Sequence, residues 1–132
     1  MNRKELLIQR KRVRTLAKAW LGPLGLLWWH IDIKFYDSEP EFRAATGHDA
    51  YMTVCGDWRY DHATINVNLP AIERLDDDRL EFNFVHECAH VILSEMKAGK
   101  GDEHCEHVAT IMAKAFRWVR DAAERQGREQ KT

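Results

Sequence analysis

The chain has 132 residues, 45% of them hydrophobic and 31% charged, with five tryptophans and three prolines. That leaves room for one domain with a substantial core and argues against a disordered or low-complexity chain. A formal net charge of −1 argues against bulk attraction to polyanions. Cys55, Cys88 and Cys105 are odd in number and lack Cys-x-x-Cys spacing, which speaks against a disulfide framework and for a reducing, cytoplasmic setting.

Residues 1–21 read as a basic covering helix. Leu6, Val13, Leu16, Ala17 and Trp20 form an apolar stripe, and Gly22-Pro23 ends it. Over residues 1–18, Arg3, Lys4, Arg10, Lys11, Arg12, Arg14 and Lys18 face a single acid, Glu5, for a net of +6. A solvated outer face accounts for this charge, and weak contact with nucleic acid is the alternative use. The apolar run Ala19 to Trp29 is too short to span a bilayer and is broken by Gly22, Pro23 and Gly25. Neither secretion nor membrane anchoring is expected.

The sheet region is expected over residues 28–69. Trp29, Ile31, Ile33 and Phe35 alternate with His30, Asp32, Lys34 and Tyr36, the period of a half-buried strand, and His30 on the polar side reads as a surface residue. Ser38-Glu39-Pro40-Glu41 is a capping-box pattern that opens a short helix ending at Gly47. Tyr51 to Cys55 reads as a second strand, Gly56-Asp57 as a turn, and Ala63 to Leu69 as a third strand. The polar, Asn-bearing side of that third strand points to a sheet edge. Glu73, Asp76, Asp77 and Asp78 then stand where acids cap the next helix and complement its dipole.

That helix, expected over residues 79–96, is apolar nearly all round through Phe82, Phe84, Val85, Cys88, Ala89, Val91, Ile92 and Leu93, the pattern of a buried helix. Into it is set His86-Glu87-Cys88-Ala89-His90. Histidines four residues apart project from one helix face, so both imidazoles can reach one Zn2+ at about 2.0–2.1 Å. Glu87 points slightly around the helix, where it can hydrogen-bond a water on the metal and act as a base instead of a ligand. Burying these groups is costly unless something pairs with them, and a dication does so. Cys88 lies on the opposite flank and reads as a small core residue.

A catalytic zinc site has three protein ligands and an open position. Leu93 and Met96 stand where the metzincin continuation needs Gly and His, so the third ligand must come from further along. The last helix, expected over residues 102–126 with Gly127 after it, opens with Asp102, Glu103, His104, Cys105, Glu106 and His107. Its core stripe reads as Val108, Ala109, Met112, Phe116 and Val119. One turn back, that stripe puts Glu106 at its inner margin. Glu106 is therefore the preferred ligand; Glu103, His104 and His107 remain alternatives, and Cys105 reads as core-facing.

The pattern Val85-His86-Glu87-x-x-His90-Val91, followed by Glu106-His107-Val108-Ala109-Thr110-Ile111-Met112-Ala113, resembles the small zincin-type metallopeptidase-like proteins of phages and bacteria. Within them it has the gluzincin tendency, two histidines and a downstream helix glutamate. Trp58-Arg59-Tyr60-x-x-Ala63-Thr64-Ile65 is similar to the strand that precedes the active helix in that group, and Leu24-Gly25-Leu26 with Trp28 and Trp29 resembles its entry to the first strand. Cys88 departs from the bulky aliphatic residue usual at its position.

The resemblance implies one α+β, minimal zincin-like domain over residues 1–132. It would have an N-terminal helix, an antiparallel or mixed sheet of about three strands, a central His-Glu-x-x-His helix and a C-terminal ligand-bearing helix. It further implies Zn2+ held by His86, His90 and Glu106, with Glu87 as general base of a metallopeptidase. A peptide or protein substrate would lie along the edge strand, read here as Ala63 to Asn68. Tyr60, His62, His104 and His107 are candidates for stabilising the developing oxyanion. The competing reading is a non-catalytic binding or regulatory module on the same scaffold, against which the intact Glu87 weighs.

Overall fold

The computed structural model describes residues 1–94 and 102–130, apart from the side chains of Trp58, of residues 102–104 and of residue 130. Helix α1 (Arg3–Trp20) opens on a reciprocal cap: the Asn2 side chain accepts from the Glu5 N–H, and the Glu5 carboxylate accepts from the Asn2 N–H. Val13 and Trp20 are its buried anchors. Much of its positive charge is used inside the chain. Arg12 donates to the carbonyls of Ile72 and Leu75 and to Asp77, Arg10 pairs with Asp37, and the Arg10 and Arg14 guanidiniums lie over the Phe35 ring. These contacts reduce the cationic surface that the sequence suggests.

Three strands follow: β1 (His30–Tyr36), β2 (Met52–Asp57) and β3 (His62–Asn68). Between β1 and β2 lies α2 (Glu39–Thr46), capped by Ser38 and closed by Gly47 in the left-handed conformation (φ 73°), which glycine adopts without strain. Strand order is β1-β3-β2, with β1 parallel and β2 antiparallel to β3. The expected edge strand is therefore the central one, and β1 and β2 are the edges. The asparagines that suggested an edge are spent inside the chain. Asn66 accepts from the Tyr36 hydroxyl on one side and donates to Thr53 on the other, while Asn68 donates to the Ala50 carbonyl. Gly56-Asp57 also differs from expectation, since both residues continue β2. The chain reverses through a single 3-10 turn, Trp58–Tyr60, where Asp57 accepts from the Arg59 N–H.

Alternation gives the sheet two unlike faces. Ile31, Ile33, Phe35, Met52, Val54, Ala63, Ile65 and Val67 belong to the core shared with the helices, while His30, Asp32, Lys34, His62 and Thr64 face away. After the short α3 (Leu69–Ile72) comes α4 (Asp77–Leu93), whose N-cap Asp76 accepts from the Arg79 N–H, as its acidic approach suggests. Leu80, Phe84, Val85, Cys88 and Val91 drive it into the core, and it packs against β2 on one side and α5 (Asp102–Gln130) on the other. Helix α4 ends at Leu93 with Ser94 as cap; of the expected extension to Met96, residues 95 and 96 lie outside the described residues. These elements make, among the described residues, an α+β fold of five helices and a three-stranded mixed sheet. Among the described residues, no helix is long and apolar enough to cross a membrane.

Helix α5 differs from expectation in two respects. It runs through Gly127 to Gln130, and its buried stripe is Cys105, Ala109 and Ala113, with Val119 59% exposed. In place of Val119 the inner side carries Arg117 and Arg120. Both donate to Glu81 of α4, which also accepts from the Trp20 indole, and Arg117 contacts Asp78 as well. The Arg120 hydrogen bond is the largest influence drawing the Glu81 carboxyl down from 4.5 to about 2, against the opposing effect of burial. A carboxyl lowered on folding stabilises the fold above its unfolded pKa, and that contribution is lost as pH falls through its folded one. Glu81→Gln should therefore cost about 1–2 kcal/mol at neutral pH, after allowance for water reaching the guanidiniums. The gap to wild type should close as pH falls from 4.5 towards 2. Urea unfolding across that range reads it, and equal stability at neutral pH would show the cluster to be idle.

Candidate metal centre

The histidines of α4 stand one turn apart and face α5, their rings 4.8 Å apart and edge to face. Phe82, one turn earlier, stacks on His86 at 6.0 Å and helps to fix its ring. Across the gap, α5 meets α4 through small buried residues, Cys105, Ala109 and Ala113, which allow close approach of the helices. Glu106 follows Cys105 and reaches both imidazoles from that position. Its Oε1 lies 2.7 Å from His90 Nε2 and its Oε2 lies 3.3 Å from His86 Nε2. Thr110, one turn further, sets its hydroxyl 3.4 Å from the same His86 nitrogen.

One ligand atom from each of His86, His90 and Glu106 falls within 4.8 Å of the other two. Donors bound to zinc at about 2.0–2.1 Å in a tetrahedron stand about 3.3 Å from one another, so little rearrangement would seat an ion among them. The histidine side chains are 14% exposed and that of Glu106 is 60% exposed, so the centre is walled on the α4 side and open to water on the Glu106 side. Two imidazoles and a carboxylate form a donor set of borderline character, suited to zinc and unlike the all-oxygen cages of calcium and magnesium.

Glu87 is nearly buried and lies outside that three-donor group, with Oε1 3.8 Å from His86 Nδ1. Its carboxylate is the main influence raising the His86 imidazole above its ordinary range, Glu106 adding to it and burial opposing it. Burial pushes the Cys88 thiol up to about 12, so it stays protonated and apolar in the core, and Cys105 is buried too. Among the other residues singled out by sequence, His107 is exposed and outside the donor group, and the side chains of Glu103 and His104 lie outside the described residues. His62 projects from the sheet face opposite Ala63 and Ile65, so it cannot serve this centre. Tyr60 is 79% exposed.

The sequence reading missed one grouping, His30, Asp32 and His62, whose ligand atoms also lie within 4.8 Å of each other. Its members come from strands that pair in parallel, and that register is not written in local sequence.

No family model, no curated protein and no solved structure matches this chain. Glu106→Ala should weaken zinc retention by at least about 100-fold, because even outer-sphere partners of metal ligands cost 10–100-fold when removed. His107→Ala should leave it unchanged. Competition against a chelator of known affinity measures both, and equal retention by the two variants would remove Glu106 from the ligand set.

Proposed function

We propose that this protein is a zinc-dependent hydrolase, a metallopeptidase of zincin type, with His86, His90 and Glu106 as ligands and Glu87 as general base. The observation that carries this reading is the convergence of three donors from two helices, with a second carboxylate, Glu87, buried beside them and left out of the group. Burial of that extra carboxylate is costly unless it is employed, and a base poised beside the metal would employ it. Zinc bound there would supply Lewis acidity for a carbonyl and bring the pKa of a coordinated water towards about 7.

The remaining work falls to the chain. Glu87 takes the proton of the attacking water and passes it to the leaving amine, and its burial limits the number of competing waters around it. The open Glu106 side admits the substrate. An extended peptide is proposed to lie along β2, the edge strand that packs against α4, using unpaired main-chain groups there for strand addition. Strand β3, enclosed on both sides, has no such groups to offer. Three free thiols suit a reducing compartment for this activity.

Glu87→Gln keeps the shape of the side chain and both histidines, so zinc content and melting temperature should match wild type. Peptide cleavage, read on a broad peptide library with zinc supplied, should fall by about 10²–10⁴-fold, the usual worth of a positioned base. Cleavage at the wild-type rate would mean that Glu87 is not the base. A wild type that cleaves no peptide would favour the binding-module reading.

A further inference from the structure

The outward face of the sheet carries a second convergence of metal donors. Parallel pairing sets His30 of β1 directly beside His62 of β3, and Asp32, two residues on, shares their face. His30 Nε2 lies 3.2 Å from Asp32 Oδ1, and His62 Nε2 lies 3.2 Å from Asp32 Oδ2. The two rings stack at 5.4 Å, inclined by only 19°. Both histidines thus turn the same nitrogen towards one carboxylate, at separations close to the ~3.3 Å between donors in a tetrahedral zinc shell.

The surroundings leave this group available. Lys34, the nearest base along β1 on that face, extends to the Tyr36 ring, and Asp57, across from His62 on β2, is held by Arg59. The register itself is pinned, because Asp61 takes a left-handed conformation (φ 48°) and its carbonyl accepts the His30 N–H at 2.7 Å just where the two strands begin. Neither imidazole belongs to the hydrophobic core, and both are exposed enough for an ion to reach them. Packing therefore does not account for two histidines and an aspartate gathered at this spot.

We propose that His30, Asp32 and His62 form a second divalent-metal site, on the sheet face opposite α4, taking a borderline transition ion such as Zn2+ and leaving its remaining coordination open to water. Two imidazoles and one carboxylate select such an ion over magnesium or calcium. Its ligands sit on a sheet surface with no packed shell around them, so it fills after the helix centre and releases its ion more readily. The site does not depend on the activity proposed for the helix centre.

Zinc uptake by the full chain, titrated calorimetrically with Zn2+ alone, tests it. His30→Ala/His62→Ala should bind one equivalent fewer than wild type, whatever the helix centre holds, with an unchanged melting temperature in chelator. Asp32→Asn should weaken that same equivalent and spare the tighter one. In wild type, the His30 and His62 imidazole resonances, assigned from the single alanine variants, should shift together as the weaker equivalent is added, and magnesium should leave them in place. Equal zinc uptake by wild type and the double variant, or resonances of His30 and His62 that ignore zinc, would overturn the site.

Discussion

Where α4 passes α5, two half-buried imidazoles and the buried Glu87 carboxylate stand against the exposed Glu106, and the cost of burying polar groups on a core helix is the constraint on this region. The other flank of α4 is given to Phe84, Val85, Cys88 and Val91, which commit the helix to the core and turn its histidines towards α5. Unpaired, such groups would cost several kcal/mol each to bury. Glu106 answers this in part, and a dication in the same volume would answer it more fully. Helix α5 can supply that carboxylate because the residues it buries are small.

The helix pair is held by more than this contact. Five residues before His86, or about 7.5 Å along the axis, Glu81 gathers Arg117, Arg120 and the Trp20 indole. Because the later residues of α5 meet the earlier part of α4, the two helices run antiparallel, and the ion cluster and the candidate centre fix their relative position at two levels. A donor group whose spacing is set by packing on both sides is preorganised, which is what a metal centre needs to bind tightly and keep one geometry. The sheet adds the remaining constraint. With β3 in the middle, one face is covered by α4 and its neighbours, while the other carries α2 at its Tyr36 end and is exposed at its His30–His62 end, so the two donor groups lie on opposite sides of the sheet, and of the three described strands β1 and β2 are the edges.

Much of this was legible in the sequence where the signal is local. The period-2 alternation of β1, the Ser38 and Gly47 caps of α2, and the acids before α4 each act within a few residues, and each appears where expected. The nearness of Glu106 to the histidines was legible from helix phase, although the stripe behind it was drawn partly through the wrong residues. Val119 is apolar yet exposed, because Arg117 and Arg120 are drawn inward by Glu81, a partner more than thirty residues away. Strand order was misread for a similar reason. Asparagines on a strand suggest water, but here Asn66 bonds to both neighbouring strands and Asn68 to the Ala50 carbonyl ahead of β2. The grouping of His30 with His62 depends wholly on parallel register, which no local pattern encodes.

In the proposed centre one ion is held by the imidazoles of His86 and His90 and the carboxylate of Glu106, with no sulfur. X-ray absorption at the zinc edge, on His30→Ala/His62→Ala protein loaded with a single equivalent, tests it most directly. These ligands should give a shell of nitrogen and oxygen at about 2.0–2.1 Å with outer-shell scattering from two imidazoles, altered by Glu106→Ala. A sulfur contribution at about 2.3 Å, or a shell indifferent to Glu106, would contradict it.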